Sequence, residues 1–318
     1  MNKPLLSIIT PVYNCYHLMD RLLETLEKQT SDDFEVIFIN DLSTDKTYEL
    51  LNQRLKTVKF KYKLLTNSQN VGPGETRNHG VSASEGKYIT FIDSDDYISE
   101  DFVKKIKYEI EKNKLDVLIF DYYINSGNKL TYKNSLPLNN GIVDKTDALA
   151  LCNGMCWGKV FKKNIIQENK VVFPKLMRSE DLAFVKVAIF YSKKVIYLKE
   201  PLYFYNLVET SIMHSRKTLN NLNNIKAYEY IEKNISDKRA LEMIFVRDYL
   251  YIIVQNMILQ KETNDRIKRF IEEAGKKFPE WYKNQYIKMQ PKYLQIILKL
   301  IKHKQMICLK AIFRLKSR

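Results

Sequence analysis

Cysteine, long apolar runs and signal-peptide features are scarce or absent in this sequence of 318 residues. The four cysteines are scattered, and although Cys152 and Cys156 are four residues apart, no second pair completes a zinc site. No apolar stretch approaches the roughly 20 residues that a transmembrane helix needs, and the first residues do not resemble a signal peptide. These absences argue against a secreted disulfide-rich protein, and they predict buried free thiols in a reducing, cytoplasmic location.

The C-terminal part of the chain lacks acidic residues. The formal net charge is +15, and residues 281–318 contain Lys and Arg among Ile, Leu and Phe but no Asp or Glu. Residues 292–318, wound as one helix at roughly 100° per residue, separate into two faces. The apolar face contains Leu294, Ile297, Ile301, Cys308, Ile312 and Leu315, and the opposite face contains Lys292, Lys299, Lys302, Lys310 and Arg314.

Such a basic amphipathic helix is typical of proteins that lie in the plane of an anionic membrane surface. The alternative is an ordinary helix that packs on the body of the protein, or on a second copy in a homo-oligomer. The lack of any acid on the polar face favours the membrane. A nucleic-acid partner is not expected, because no DNA-reading motif accompanies the basic residues.

Strand-like and helix-like segments alternate over the first 120 residues. Apolar runs predict strands over 5–10, 34–39, 60–65, 88–92 and 116–120, and helical periodicity predicts helices over 17–29, 46–55, 75–84 and 100–113. This alternation predicts an α/β fold with a mostly parallel sheet flanked by helices. The pattern is helical from about residue 217 onward. We therefore predict a domain over 1–216 and a helical region over 217–318.

Two of the predicted strands end in carboxylates. One is followed by Asp93, Asp95 and Asp96, and another by Asp41. The carboxyl ends of parallel strands form the edge where α/β sheets bind ligands, so these groups are expected to converge. Neighbouring carboxylates repel unless a cation lies between them, and oxygen ligands suit Mg²⁺ or Mn²⁺ with a substrate diphosphate. The alternative is that Asp95, Asp96 or Ser99 caps the helix that follows.

Three features further along the chain each allow two interpretations. Glu180 and Asp181 precede an apolar helix, where acids are also favoured by the helix dipole alone. His214 stands alone in a polar segment, and a lone histidine is more often an ordinary residue than a ligand. Trp157 could contact a substrate or lie in the core.

Four motifs, in this order, resemble those of the family 2 glycosyltransferases. They are Ser7-Ile-Ile-Thr-Pro-Val-Tyr-Asn14, Asn40-Asp-Leu-Ser-Thr-Asp45, Asn70-Val-Gly72 with Arg77-Asn78, and Asp93-Ser-Asp-Asp96. The resemblance is dense over residues 5–100, looser to about 216, and does not cover the helical region. It implies a GT-A fold, a nucleotide-sugar half over about 1–100 and an acceptor half over about 101–216. It also implies a nucleotide-diphosphate-sugar donor, a divalent metal and inversion at the anomeric carbon.

In the nucleotide-sugar half, the resemblance assigns roles to residues of all four motifs. It implies that Asp41 hydrogen-bonds the base, that Arg77 lies near the nucleotide and that Asp95 ligates the metal. Asp93 is expected to contact the ribose or the metal. The remaining expected contacts with the nucleotide sugar are Pro11, Val12 and Tyr13 around the nucleobase, with Asn70 and Ser94. The family often has Gly where this chain has Leu42, a change that removes no chemical group from the site.

In the acceptor half, Glu180 and Asp181 resemble the family's Glu-Asp pair, of which the aspartate is the general base. His214 and Arg216 resemble late basic positions that approach the metal or the diphosphate. Trp157 is a candidate for the acceptor site. No nucleophile elbow or Cys/His pair is present, which agrees with a single displacement without a covalent intermediate.

The resulting hypothesis is an inverting, metal-dependent glycosyltransferase. It would move a hexose or N-acetylhexosamine from a UDP-sugar to a lipid-linked glycan in capsule or exopolysaccharide synthesis, on the inner face of the plasma membrane. A nucleotidyltransferase acting on sugar phosphates is a weaker alternative, because the first turn lacks a glycine-rich phosphate loop. A non-catalytic membrane scaffold would explain the basic tail but would leave the converging carboxylates without a purpose.

Overall fold

The computed structural model describes residues 3–127, 129–207 and 221–316. The chain divides into two units, Met1–Lys145 with Asn153–His214 and Thr146–Cys152 with Ser215–Arg318. The sequence predicted a boundary near residue 216, but it did not predict that residues 146–152 belong with the C-terminal helices.

One mixed sheet contains all of the described strands. They are β1 (Leu6–Val12), β2 (Phe34–Asn40), β3 (Lys61–Thr66), β4 (Tyr88–Phe91), β5 (Tyr97–Ile98), β6 (Val117–Ser126), β7 (Lys129–Lys133), β8 (Gly141–Val143), β9 (Lys159–Lys162) and β10 (Val195–Asn206). Their order is β3-β2-β1-β4-β9-β6-β10-β5, with β7 also paired to β6 and β8 to β10.

The first four strands in this order are parallel, and they create a ligand-binding edge. β1 lies between β2 and β4, and β2 in turn pairs with β3. The strands β2 and β3 thus lie on one side of β1 and β4 lies on the other side, so the strand order switches at β1. In α/β sheets, ligands bind in the crevice beyond the carboxyl ends of the strands at such a switch point. Pro11, just beyond the strand predicted over 5–10, is the penultimate residue of β1.

The other half of the sheet contains antiparallel pairs. β9 runs antiparallel to both β4 and β6, whereas β6 and β10 are parallel. The sequence did not predict β9, because two lysines in its four residues hide the apolar pattern of a strand. Its central position follows from tertiary packing rather than from propensity.

Helices cover the sheet and form the second unit. In chain order they are α1 (Asp20–Glu27), α2 (Thr47–Leu55), α3 (Pro73–Ala83), α4 (Phe102–Asn113), α5 (Lys145–Leu151), α6 (Lys163–Glu168), α7 (Glu180–Tyr191), α8 (Asn221–Asn234), α9 (Lys238–Ile244), α10 (Ile252–Leu259), α11 (Asn264–Lys277), α12 (Lys292–Lys302) and α13 (Met306–Lys316). The helix predicted over 17–29 begins as a 3₁₀ turn at Tyr16–Leu18 and continues as α1.

Helix α3 lies close against β1 and β2. A Cβ atom on Gly80 would lie 2.4 Å from Ile9 Cγ2 and 2.8 Å from Ile39 Cδ1, so no larger residue fits without moving the helix. Pro73 is its first residue, a position where the missing N–H costs no hydrogen bond. This packing fixes the site residues that α3 carries relative to the sheet.

The second unit is a helical cluster with an aromatic core. Phe245 contacts the rings of Tyr228, Tyr249 and Phe278 at centroid distances of 5.0 to 5.4 Å. The partly buried Arg247 donates hydrogen bonds to the carbonyl groups of Ala150, Leu151 and Cys152. These bonds satisfy the free carbonyls at the end of α5, which explains why that helix belongs to this unit.

The C-terminal tail is two helices, so the prediction of one continuous helix over 292–318 is wrong. The chain breaks between α12 and α13, where Lys304 adopts a left-handed conformation (φ 51°). Helix α12 buries the predicted residues Leu294, Ile297 and Ile301. In α13 the break changes the orientation, and the buried side chains are Met306, Leu309 and Phe313, whereas Cys308 and Leu315 are exposed.

No helix in the part of the chain that the structure describes has both the length and the hydropathy needed to cross a bilayer.

Candidate active site

The loop after β2 is organised by the carboxylate of Asp41. Its Oδ1 accepts hydrogen bonds from Asn67 Nδ2 (2.8 Å) and Val71 N (2.9 Å), and its Oδ2 accepts one from Gly72 N (2.8 Å). Asn70 Nδ2 donates to the Asp41 carbonyl at 3.1 Å. Asp41 and Asn70 thus tie the end of β2 to the start of α3, and Asp41 retains lone pairs for a ligand. Its contact with the base stays a prediction.

The end of β1 presents one exposed ring. Tyr13 is 45% exposed, whereas Val12 is buried in the core and Pro11 is half-buried. Asn14 Oδ1 accepts hydrogen bonds from the backbone of Thr44 at 2.8 Å and of Asp45 at 3.3 Å. Of the three residues expected around the nucleobase, Tyr13 is therefore the one whose side chain is free to stack on it.

Leu42 takes a left-handed conformation (φ 56°) in the loop after β2. Such a conformation costs a residue with a Cβ roughly 1–2 kcal/mol, and glycine adopts it without that penalty. The loop therefore keeps a backbone geometry suited to glycine even though this chain has Leu at that position.

A buried arginine brings distant acids together. Arg77 Nη2 donates to Asp93 Oδ1 at 2.8 Å, and Nη1 donates to Asp181 Oδ1 at 2.9 Å. Glu180 Oε1 lies 3.5 Å from Nη1. Burial disfavours the charge, but the acids raise the pKa of Arg77 well above its usual range, so the guanidinium stays charged. Three carboxylates from two parts of the chain thus surround one cation.

Asparagine and glycine residues of α3 position the segment before Asp181. Asn78 exchanges two hydrogen bonds of 2.9 Å with the backbone of Phe173. A Cβ on Gly74 would lie 2.9 Å from Glu180 Cγ, so glycine is needed for this close approach. Ser179 adopts a left-handed conformation (φ 64°), an arrangement that neighbouring contacts must hold in place. The prediction that Glu180 and Asp181 start a helix is confirmed by α7.

The two acids at the start of α7 differ in their surroundings. Glu180 is buried, and this burial, with the charge of Asp181, raises its pKa to about 7 despite the nearby Arg77. Asp181 is more accessible, and its second oxygen accepts a hydrogen bond of 3.3 Å from Cys156 N. Glu180 is therefore partly protonated near neutral pH, whereas Asp181 is held by the positively charged Arg77.

The acids after β4 divide into two kinds. Asp96 is fully buried and accepts hydrogen bonds from Tyr203 Oη and from Asn206 N (2.7 Å). Asp95 forms no ion pair or hydrogen bond with another described residue, and burial together with Asp93 raises its pKa to about 6. None of the candidate residues caps the next helix, because α4 has Asp101 at that position.

The donor set fits a divalent cation. The Asp95 carboxylate is partly buried and has no partner among the residues that the structure describes, and Asp93 uses only Oδ1 for Arg77, so oxygen atoms of both residues could bind Mg²⁺ or Mn²⁺. In the described ranges no group of three or more His, Cys, Asp or Glu side chains could enclose an ion. Substrate oxygens and water would therefore supply the other ligands, as is common for Mg²⁺.

The remaining predicted residues are not all at the site. Trp157 is 4% exposed and stacks on Tyr203 (4.7 Å) and Tyr205 (5.4 Å), which places it in the core. Ser94, which was expected to contact the nucleotide sugar, forms a hydrogen bond with the thiol of Cys15. His214 and Arg216 lie outside the described residues.

Several residues of the site were not predicted. Asn67, Gly74, Tyr203 and Lys159 all support it, and only their tertiary contacts reveal this. Lys159 is fully buried, and its ammonium donates to Asn153 Oδ1 and to the Met155 carbonyl at 2.7 Å each. It thereby holds the segment whose Cys156 amide contacts Asp181.

Comparison with known proteins identifies the family of the chain. The model of the family described as Glycosyl transferase family 2 matches residues 7–169. The putative glycosyltransferase EpsH of Bacillus subtilis is 30% identical over 225 residues, which is 67% of this chain and 64% of that protein. TarS of Staphylococcus aureus, a poly(ribitol-phosphate) β-N-acetylglucosaminyltransferase, is 29% identical over 63% of this chain and 35% of its own length. The chain thus spans less than two thirds of both curated relatives.

Two solved structures have the same fold. The crystal structure of S. aureus TarS 1–349 in complex with UDP superposes with a TM-score of 0.69 at 20% identity, covering 97% of this chain and 90% of that chain. The mannosyltransferase PcManGT from Pyrobaculum calidifontis, in complex with GDP-Man and Mn²⁺, gives a TM-score of 0.61 at 12% identity over 99% of this chain and 88% of its own. These similarities confirm the predicted GT-A fold, and with the match over residues 7–169 the chain belongs to glycosyl transferase family 2.

Proposed function

We propose that this protein transfers a sugar, with inversion, from a UDP-sugar to a hydroxyl group of a cell-surface glycan. The observation that carries the proposal is the ion-pair cluster of Arg77, which joins Asp93 at the end of β4 to Asp181 at the start of α7. In this proposal Asp93 belongs to the donor side and Asp181 is the general base. The guanidinium of Arg77 thus fixes the position of the proposed base relative to the proposed donor site.

The proton transfer is assigned to Asp181. Its carboxylate is anchored through Oδ1 by Arg77 and through Oδ2 by Cys156 N, and each oxygen retains a lone pair for the acceptor hydroxyl. Removing that proton makes the hydroxyl oxygen a competent nucleophile. Attack from the face opposite the leaving diphosphate inverts the anomeric carbon in one displacement. Glu180, buried beside the base, shapes its position without direct contact with the substrate.

The donor is assigned to the carboxyl ends of β1, β2 and β4. Tyr13 would stack on the nucleobase beside Asp41, and Asp95 and Asp93 would hold a divalent cation. Lewis-acid stabilisation of the charge on the leaving diphosphate is the chemistry that this ion supplies when bound. UDP-GlcNAc and Mn²⁺ are present in structures of the neighbours TarS and PcManGT, respectively, which supports this choice of donor and metal class.

A donor screen tests the proposal. The full chain is mixed with Mn²⁺ and each common UDP-, GDP- and dTDP-sugar, and thermal unfolding and donor hydrolysis are measured. One UDP-sugar should stabilise the fold, by about 3 kcal/mol at a concentration near 100 times its Kd, and should be slowly hydrolysed. EDTA should remove both effects. Absence of any response, with the fold shown intact by circular dichroism, would favour the non-catalytic scaffold instead.

The acceptor and the location are proposed from the C-terminal helices. Helices α12 and α13 are basic, and Ile307 (86% exposed) and Leu315 (73% exposed) present apolar side chains to solvent. This combination suits an anionic lipid surface that carries a lipid-linked glycan. The alternative, packing of these helices on the same helices of a second copy of the chain, would be opposed by the positive charge on both partners. Co-sedimentation with phosphatidylglycerol vesicles should be stronger than with phosphatidylcholine vesicles. Ile307→Ser should weaken it, and equal binding to both vesicles would contradict the membrane assignment.

A further inference from the structure

Four aromatic side chains form a row across the strands of the antiparallel half of the sheet. Tyr97 on β5 stacks on Phe204 of β10 (centroid distance 4.6 Å, interplanar angle 8°), and Phe204 stacks on Tyr123 of β6 (5.4 Å, 27°). Tyr123 in turn meets Tyr132 of β7 edge to face at 5.9 Å. Each pair is directly opposite in the strand register, so we call these four residues the aromatic row.

The aromatic row lies on one face of the sheet and is open to solvent. Successive side chains of a strand point to opposite faces, so the neighbouring Tyr122 and Tyr203 point the other way, where both contact Trp157. Tyr203 is fully buried, whereas Tyr97, Tyr123 and Phe204 are half-buried and Tyr132 is 39% exposed. The opposite face is therefore core, and the row presents ring surface to solvent.

The rings are held in place before any ligand arrives. The hydroxyl of Tyr132 donates a hydrogen bond to the buried carboxylate of Asp121, which also accepts from Tyr197 Oη (2.7 Å) and Ser135 N (2.7 Å). The guanidinium of Arg21 lies 5.4 Å from the centre of the Tyr97 ring. A preorganised surface loses little conformational entropy on binding.

Amide groups accompany the aromatic row. Asn125 and Asn206 follow Tyr123 and Phe204 by two residues, so they lie on the same face, and Asn125 Nδ2 donates to Asn206 Oδ1 at 3.2 Å. Asn206 N donates to Asp96 Oδ1, and Tyr97 follows Asp95 by two residues. The row is thus continuous with the acidic end of β4, where the donor is proposed to bind.

We infer that the aromatic row is the acceptor platform and that it binds the pyranose rings of a glycan. The C–H groups on one side of a pyranose are slightly positive and pack on the negative face of an aromatic ring. Hydroxyl groups at the ring edge suit the side-chain amide of the half-buried Asn206, which the buried Asn125 holds by a hydrogen bond. This inference rests on the proposed function, and it replaces Trp157, which is buried, with four residues whose rings are accessible.

Two alternatives to a pyranose platform are a purely structural role of the aromatic row and a role in binding an acyclic ligand. Cross-strand aromatic pairs also stabilise a sheet, but that role needs no open ring face. An acyclic polyol phosphate, such as the ribitol phosphate in the name of the relative TarS, has no ring to stack and would be recognised by its charge instead. A pyranose platform therefore predicts preference for cyclic sugars over ribitol phosphate.

Saturation-transfer NMR on the full chain, loaded with UDP and Mg²⁺, tests the inference. The probes are chitotetraose, cellotetraose and maltotetraose, with ribitol 5-phosphate as the acyclic comparison. At least one tetrasaccharide should bind through its C–H protons. Tyr123→Leu and, separately, Tyr97→Leu keep an apolar side chain but remove the ring, and each should weaken that binding about three- to tenfold. Tyr123→Phe should bind as the wild type does.

Tyr62→Ala is the matched control, because Tyr62 is 38% exposed on β3 at the opposite edge of the sheet. It should leave tetrasaccharide binding unchanged. Tyr62→Ala should also leave UDP affinity and donor hydrolysis unchanged. UDP binding and donor hydrolysis by the wild type test the proposed function separately from tetrasaccharide binding, so failure of one can be distinguished from failure of the other. The inference is overturned if the wild type binds no tetrasaccharide or prefers ribitol 5-phosphate. It is also overturned if both Leu variants bind normally, or if they lose UDP binding to the same extent.

Discussion

Asp181→Asn is expected to lower sugar transfer by about 10²- to 10⁴-fold, the range typical of removing a general base. The amide has the shape of the carboxylate and can still accept the hydrogen bond from Arg77, but it cannot take a proton from the acceptor. UDP affinity, measured by calorimetry, should not change, because the residue lies outside the proposed donor contacts. The loss should therefore appear in kcat and not in the KM of the donor.

Glu180→Gln is the matched control for Asp181→Asn. Glu180 is adjacent in sequence, is buried, and has a pKa raised to about 7, so a neutral amide resembles the form it already partly adopts. Most of the activity should remain. If Asp181→Asn were as active as the wild type while Glu180→Gln were inactive, the assignment of the base would have to move to Glu180.

Asp95→Asn is expected to remove metal-dependent activity, with a loss of about a thousandfold if the ion contributes about 4 kcal/mol to the transition state. Asp95 is the acid after β4 that has no partner among the described residues. Its burial and the charge of Asp93 raise its pKa to about 6, and a bound cation would favour its charged form. Removing one negative charge there weakens cation binding directly. The measurement is transfer rate against Mn²⁺ concentration, with thermal stabilisation by UDP in the presence and absence of EDTA.

Asp101→Asn serves as the comparison for the metal site. Asp101 is six residues further along, and its carboxylate pairs with Lys105 at 3.0 Å on the surface of α4. Its substitution should leave the Mn²⁺ dependence unchanged, since a surface pair of this kind contributes about 0–1 kcal/mol to stability. Full transfer by Asp95→Asn, with an unchanged response to EDTA, would show that the metal assignment is wrong.

The sequence alone was sufficient for the parallel part of the fold. β1, β2, β3 and β4 were predicted because a buried strand appears as a short apolar run that ends in polar residues. The placement of Asp41 and Asp93 at one edge followed from the geometry of parallel strands, without knowledge of any contact. The family was recognised from motifs in the same region, since the residues around a ligand site are close to strand ends.

The sequence was less informative where an element depends on its partners. β9 has two lysines in four residues, and only its position between β4 and β6 makes it a strand. The tail was predicted as one helix because helical periodicity says nothing about a break, and the left-handed Lys304 changes which residues of α13 are buried. Residues 146–152 belong to the second unit because Arg247, far along the chain, binds the carbonyl groups at the end of α5.

Local pattern therefore determined the fold class, the strand ends and the family, because each of these depends on residues that are close in sequence. The tertiary structure decided which groups meet: Arg77 pairs with Asp181 across 104 positions, and Trp157 is enclosed by Tyr203 and Tyr205. It also aligned the four rings of the aromatic row from four separate strands. The physical reason is that burial and ion pairing depend on distance in space, which a single sequence does not specify.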